Sequence, residues 1–191
     1  MAERGEWKQK VAGIKASRFW FLDESNAKTT MTRLHGRAAR GQRVKDDVPD
    51  GRWSSTTMLA AIHWNGSGPC LTYSGGTDVP TMQTFVEQLL APELGPDDIV
   101  VMDNLNSHKH PDVVAAIEAT GASVWPLPRY SPDLNPIEKM WSKMKAHLRK
   151  IAARTPEMLV EAIRKALESI TAENARNWYR SCGYSNPHTV T

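Results

Sequence analysis

The sequence has few of the residues that build disulfide frameworks, zinc fingers or membrane spans. Its 191 residues include only two cysteines, too few for a disulfide scaffold or a four-cysteine zinc site. The densest apolar runs, 19–22 and 99–102, fall far short of the roughly 18 residues that suggest a membrane span. The first residues, MAERGEWKQK, are charged and lack the apolar stretch of a secretory signal. We therefore expect a cytoplasmic protein with no membrane partner.

Basic residues are almost absent from the middle of the chain. Residues 53–128 contain one, Lys109, against eight acids, whereas residues 1–52 carry 12 Lys and Arg against seven acids and residues 129–191 carry 11 against six. The net charge of +3 therefore conceals two basic flanks. Basic flanks suit a polyanionic partner such as nucleic acid. Charge alone, however, is explained more simply by the solvated faces of an ordinary domain.

Strand and helix patterns alternate along the chain, whose composition of 40% hydrophobic and 24% charged residues is that of a folded domain. Periodicity and punctuation by Pro and Gly predict strands at 17–23, 54–64, 70–73, 99–103 and 122–127. They predict helices at 80–90, 111–120, 137–151 and from Thr155 to Ile170. The Arg- and Gly-rich stretch 29–45 has no clean period and is predicted to be a hairpin or extended excursion. This order indicates an α/β fold, a mixed sheet flanked by helices.

Three acidic residues occupy positions that an α/β sheet brings together. Two apolar strands end on Asp23 and Asp103, and Glu138 begins a helix directly after the proline-rich loop 128–136. Side chains beyond strand ends gather at one edge of such a sheet. Taken singly, each acid is explained by a turn or a helix terminus. Together they predict a site for hard divalent ions, two of which can promote displacement at phosphorus.

The residues around these acids resemble a known family. The segments FLDES (21–25), VMDNLNSHK (101–109) and PRYSPDLNPIEKMWSKMK (128–145) are similar to the three catalytic blocks of DDE transposases of the mariner-like superfamily, in its bacterial insertion-sequence branch. Between Asp103 and Glu138 lie 34 residues, the interval typical of that superfamily's second and third carboxylates. SPDLNPIE is the most specific of these motifs. The likeness runs from about Arg18 to Gly183.

The resemblance implies an RNase H-like fold in which Asp23, Asp103 and Glu138 are the catalytic residues and bind Mg2+ or Mn2+, with two ions expected. It implies an endonuclease and strand transferase that cuts DNA at transposon ends and joins the freed 3′-hydroxyl to target DNA. The DNA partners would be transposon ends and target, and a homo-oligomer is expected. We expect an N-terminal extension at 1–16, the catalytic domain at 17–183 and a C-terminal tail at 184–191.

One departure from the family concerns its DNA-reading modules. Members usually carry N-terminal helix-turn-helix modules, whereas here the first catalytic acid is already at position 23. A separate helix-turn-helix subunit is therefore a further expected partner.

Several basic residues are candidates for DNA binding. Arginine suits phosphate because its planar fork makes paired hydrogen bonds. Lysine and arginine on the same helix face as Glu138 could contact the phosphates of a DNA strand that leaves the site. The alternative for the arginines of 33–43 is a solvated loop, that for Lys145 and Arg149 is a basic solvent face, and that for Arg129 is loop packing. The candidates are Arg33, Arg37, Arg40, Arg43, Arg129, Lys145 and Arg149.

Two other residues near the acids have competing explanations. His108, five residues after Asp103, is a secondary candidate for contact with substrate or a metal-bound water, although such histidines are usually at helix starts or on the surface. Asp133 is expected to be a turn residue, and it is the rival of Glu138 as the third acid.

Two alternatives to a transposase domain stay open. A metal-dependent nuclease could use the same triad without strand transfer. A non-catalytic DNA-binding module derived from a transposase could retain the triad without using it.

Overall fold

A single five-stranded sheet organises the computed structural model, which describes residues 2–185. The strand order is β3-β2-β1-β4-β5, with β1, β2 and β3 antiparallel and β4 and β5 parallel to β1. The strands are β1 (Phe19–Lys28), β2 (Ser55–His63), β3 (Gly66–Tyr73), β4 (Ile99–Met102) and β5 (Ser123–Pro126). The predicted mixed sheet is confirmed.

Helices cover both faces of this sheet. They are α1 (Ala2–Val11), α2 (Val79–Phe85), α3 (Pro111–Glu118), α4 (Pro136–Ile151), α5 (Pro156–Glu168) and α6 (Ala172–Ser181), and a π-helical turn extends α2 to Leu90. One core lies between the sheet and α1, α4, α5 and α6, and the other lies under α2 and α3. Phe19 and Phe21 of β1 enter the first core, and Trp20 and Leu22 enter the second. Burial on both faces explains why this strand begins as an unbroken apolar run.

The first strand continues past Asp23, so the prediction that it ends there is wrong. Its parallel pairing with β4 stops at Phe21 and Val101, but its antiparallel pairing with β2 continues to Lys28. The hydrogen bonds to β2 keep the polar second half of β1, from Asp23 to Lys28, extended although this half lacks an apolar pattern. Asp23 and Asp103 each lie two residues beyond the last β1–β4 pair. The shared register therefore carries both aspartates to the same edge of the sheet.

Other sequence expectations need smaller corrections. The strand predicted at 70–73, which is β3, begins at Gly66 rather than Cys70, because the turn between β2 and β3 is only Trp64 and Asn65. The stretch predicted as a hairpin or excursion is irregular through Ser54. Among residues 2–185, no helix combines the length and apolarity that a bilayer crossing requires.

The helix predicted from Thr155 to Ile170 is α5, and a further helix that the sequence did not predict, α6, follows it. Thr155 caps α5 as expected, its Oγ1 accepting the Met158 amide at 3.3 Å. A capping box then starts α6, in which Thr171 Oγ1 accepts the Asn174 amide and Asn174 Oδ1 accepts the Thr171 amide. These reciprocal bonds satisfy the first amides of a new helix. The chain therefore turns near Ile170 rather than continuing in one helix.

The N-terminal segment packs on the same core as the rest of the chain. Trp7 of α1 is 5% exposed, and its Nε1 donates to Tyr184 Oη at 2.9 Å. Tyr184 in turn donates to the Leu134 carbonyl at 2.8 Å. The division into an extension, a domain and a tail stays a prediction, and residues 186–191 of that tail lie outside the described residues.

Replacing Trp7 by Ala tests the contribution of α1 to the fold. The change leaves a cavity in a closed core and removes the partner of Tyr184, so we expect the free energy of unfolding to fall by about 3–5 kcal/mol. Urea denaturation of Trp7→Ala beside Lys8→Ala, an exposed change on the same helix, measures this. Equal loss in both variants, or none in Trp7→Ala, contradicts the prediction.

Candidate active site

A pocket at the edge of the sheet brings together the three predicted carboxylates. Its volume is about 510 Å3, and it is lined by Asp23 of β1, Asp103 directly after β4 and Glu138 of α4. The remaining walls come from the segments that follow β4 and β5. The pocket thus lies beyond the C-terminal ends of parallel strands, where α/β folds place functional groups.

The proline-rich loop that leads to Glu138 is held by contacts to distant parts of the chain. Arg4 of α1 makes two hydrogen bonds with Asp133, at 2.8 and 2.6 Å, and Tyr184 donates to the Leu134 carbonyl. The Glu138 amide donates to the Asn135 carbonyl at 3.2 Å. Asp133, the rival third acid, is therefore paired with Arg4, and it does not line the carboxylate pocket.

Asp23 lies in an environment that disfavours its charge. Burial raises its pKa to about 7, with further contributions from the negative charges of Glu138, Glu24 and Asp103, while the Glu24 amide acts in the opposite direction. That amide donates to Asp23 Oδ1 at 2.8 Å, and Trp141 Nε1 of α4 donates to Oδ2 at 3.3 Å. Asp23 is thus oriented by two donors, but no basic side chain among residues 2–185 pairs with its charge.

Asp103 lies in the opposite environment. Burial tends to raise its pKa, but the hydrogen bond and charge of His108, the Leu105 amide and Lys109 outweigh burial and lower the pKa. The Leu105 amide donates to Asp103 Oδ1 at 2.9 Å, and His108 Nδ1 lies 2.7 Å from the same oxygen. Asp103 is therefore ionised at neutral pH.

His108 bridges two carboxylates inside the protein. Its side chain is fully buried, with Nδ1 at Asp103 and Nε2 2.9 Å from Glu24 Oε2. Burial tends to lower its pKa, but these two partners raise it to about 9. A protonated ring can donate to both carboxylates. The ring nitrogens thus face acidic side chains, in place of the substrate or water contact suggested by the sequence.

Glu24 is a site residue that sequence reasoning missed. It follows Asp23 in β1, and successive residues of a strand point to opposite faces. Its side chain is 13% exposed and accepts from His108. The sequence contains both partners, Glu24 in FLDES and His108 five residues beyond Asp103, but no local pattern shows that the two segments meet.

The predicted DNA-binding residues fall into separate groups. Arg129 lines the carboxylate pocket, and Arg33 and Arg149 line a smaller cleft of about 180 Å3. Lys145 is partly exposed on α4. The other three predicted arginines are exposed on the irregular segment and line neither the pocket nor the cleft: Arg37, Arg40 and Arg43.

Two basic residues stabilise the fold near these candidates. Arg154, which sequence reasoning missed, donates to the carbonyls of Thr29 and Met31 at 2.9 and 3.0 Å, and so fixes the start of the irregular segment. Lys143 donates to the Ser169 carbonyl at 2.7 Å. It therefore ties α4 to the junction of α5 and α6.

The donor atoms of the pocket suit a hard divalent cation. The three carboxylates offer only oxygen, the ligand that Mg2+ and Mn2+ prefer, and the pKa of Asp23, raised first by burial and then by nearby carboxylates, indicates a charge that a cation would stabilise. Asn135, 6% exposed, also lines the pocket, and its buried Oδ1 has no hydrogen-bond partner in the part of the chain described. No three His, Cys, Asp or Glu side chains within residues 2–185 form a compact metal cage.

Residues 18–159 match the DDE superfamily endonuclease family. The match covers most of the chain, and the chain belongs to this family. No curated protein is similar enough to count as a relative.

Solved structures of the Mos1 transposase share the fold. The paired-end complex with the left transposon end aligns with a TM-score of 0.74 at 18% identity, covering 95% of this chain and 56% of that chain. The catalytic domain of Mos1 mariner transposase aligns with a TM-score of 0.63 at 15% identity, covering 95% and 83%. This chain thus spans little more than half the length of the protein in the paired-end complex. The fold is RNase H-like, as the sequence predicted.

Replacing Asp23 by Asn tests the electrostatic strain in the pocket. The folded-state pKa of Asp23, about 7, is above the usual 3.8. Protonated Asp23 therefore stabilises the fold at pH 3.8 and below, and this stability is lost as pH rises through about 7. In metal-free protein we expect Asp23→Asn to gain stability relative to wild type between pH 4 and pH 8. Urea denaturation at both pH values measures the difference, with Asp112→Asn as an exposed control. A difference independent of pH contradicts the prediction.

Proposed function

We propose that this chain is the catalytic domain of a mariner-like transposase, which cuts DNA phosphodiesters at transposon ends and joins the 3′-hydroxyl to target DNA. The observation that carries the proposal is the meeting of Asp23, Asp103 and Glu138, from three separate elements, in one pocket. Membership of the endonuclease family supports the same chemistry. Among the Mos1 structures that share the fold is a strand transfer complex.

Asp23, Asp103 and Glu138 would hold the metal, Mg2+ or Mn2+, with two ions expected. Mos1 structures with Mn and with Mg support divalent ions as the cofactor of this fold. A pair of such ions activates an attacking oxygen and stabilises the leaving oxygen in an in-line displacement at phosphorus.

The protein's own residues would prepare the site before DNA arrives. His108 keeps Asp103 ionised, and Trp141 and the Glu24 amide orient Asp23. Arg129 at the pocket wall can neutralise a phosphate oxygen by charge-assisted hydrogen bonds. Water attacks in cleavage and the 3′-hydroxyl attacks in joining, so no enzyme nucleophile is required.

The basic residues outside the pocket would guide DNA. Lys145 and Arg149 follow Glu138 along α4, and Arg33 meets Arg149 at the smaller cleft. Arg37, Arg40 and Arg43 extend this charge along the exposed segment. A homo-oligomer and a separate helix-turn-helix subunit that reads the transposon ends complete the proposal, in a protein of the bacterial insertion-sequence branch.

Replacing Asp103 by Asn tests the catalytic role of the pocket. The change keeps the shape of the side chain but removes its charge. Loss of a side chain that merely orients a ligand costs about 10- to 100-fold, so we expect Mg2+-dependent cleavage to fall by more than about a hundredfold. A DNA assay that scores nicking and joining measures both steps, with Asp112→Asn as the control. Unchanged cleavage by Asp103→Asn would falsify the proposal.

The same assay separates the alternatives. Cleavage without joining by the wild-type protein favours a nuclease. Salt-sensitive DNA binding without cleavage under any divalent metal favours a non-catalytic module. If Glu138→Gln retains cleavage while Asp133→Asn loses it, the third acid has been assigned wrongly.

Replacing Lys145 and Arg149 by Ala tests the DNA path on α4. Each phosphate contact contributes about 0.9 to the slope of log affinity against log salt. We therefore expect the double variant to lower that slope by about 2 and to weaken binding to all sequences alike. The matched control is Arg164→Ala with Lys165→Ala, a pair on α5 that contacts Glu161. An unchanged slope in the α4 variant removes these residues from the DNA path.

A further inference from the structure

Tyr130 presents an uncovered aromatic ring beside the carboxylate pocket. Its side chain is 97% exposed, although an aromatic ring is a large apolar surface. The residue lines the pocket together with Asp23, Asp103 and Glu138. In residues 2–185 the ring stacks on no other aromatic side chain.

The backbone holds this ring outward in a strained conformation. Tyr130 has φ of +53°, which crowds the Cβ of any residue except glycine. The Ser131 hydroxyl donates across it to the Arg129 carbonyl at 3.1 Å, and Arg4 donates to that hydroxyl at 3.0 Å. Pro128 and Pro132 restrict the chain on either side. A residue that its neighbours hold in a strained backbone conformation at a site indicates a function.

The neighbours of Tyr130 fit an unstacked nucleobase. Leu105, 50% exposed, presents a second apolar side chain to the same pocket from the segment after β4. Extrahelical bases are held by stacking on aromatic and apolar side chains. Arg129, adjacent in sequence, supplies a phosphate-binding charge next to the ring. A rigid tyrosine loses little conformational entropy when a base stacks on it.

We propose that Tyr130 is a stacking platform for a nucleobase that leaves the duplex next to the phosphate being processed. The inference rests on the proposed DNA-processing function and adds a base-binding position to it. Withdrawing a base from the stack at this point would open the backbone and let its phosphate approach the carboxylates. Tyr130 would then favour DNA that unpairs readily beside the scissile bond.

The experiment compares binding of two short duplexes, one fully paired and one with a single extrahelical 2-aminopurine. Ca2+ replaces Mg2+, since it prefers the same oxygen ligands. We expect wild-type protein to bind the bulged duplex about tenfold more tightly and to quench the 2-aminopurine fluorescence. Tyr130→Phe keeps both effects. Tyr130→Gly and Tyr130→Asn lose both, yet they remain folded because Gly and Asn tolerate positive φ.

Each outcome has one meaning. Retention of the preference and quenching by Tyr130→Gly overturns the stacking role, whatever the cleavage activity. Equal loss in Trp53→Ala, which removes another exposed aromatic side chain outside this pocket, also overturns it. If wild-type protein binds neither duplex, the DNA-processing function itself is rejected and the stacking role falls with it.

Discussion

The parallel pairing of β1 with β4 places Asp23 and Asp103 at equivalent positions beyond their last shared pair, where burial, with added repulsion from nearby carboxylates, acts against the charge of Asp23. One aspartate is kept ionised by His108, whereas the other has its pKa raised by burial and by neighbouring carboxylates. Two similar side chains thus acquire different properties from their surroundings alone. A divalent cation between them would remove the repulsion.

The contacts that hold this arrangement come from distant parts of the chain. His108 joins the segment after β4 to Glu24 on β1, and α1 reaches the proline-rich loop through Arg4 and Asp133. The buried His108–Glu24 pair specifies geometry more than it adds stability, because desolvation offsets most of its attraction. The site therefore depends on packing throughout the domain, including its N-terminal helix.

Much of the fold could be predicted because its signals are local. The prolines and caps of α3, α4 and α5 mark their starts within a residue or two, and the apolar runs of β1 and β4 report burial on both faces. The polar half of β1 was missed because ladder hydrogen bonds to β2 decide it, and the helix α6 was missed although a capping box marks its start. Ile151, the last residue of α4, is 39% exposed because the buried stripe of this helix ends at Leu148.

The sequence by itself determined the three acids, the elements that carry them and the family to which the chain belongs. Only the tertiary structure decided the pKa of each aspartate and the side chains that contact it. Glu24 and His108 are separated by 84 positions, and a pKa depends on burial and on charges brought close in space. Likewise, the sequence places the tyrosine of PRYSPDLNPIE beside Arg129 as a residue that could touch substrate, but it does not show how the ring is held. Its outward ring and positive φ arise because Ser131 and Arg4 lock the turn from both sides of the chain.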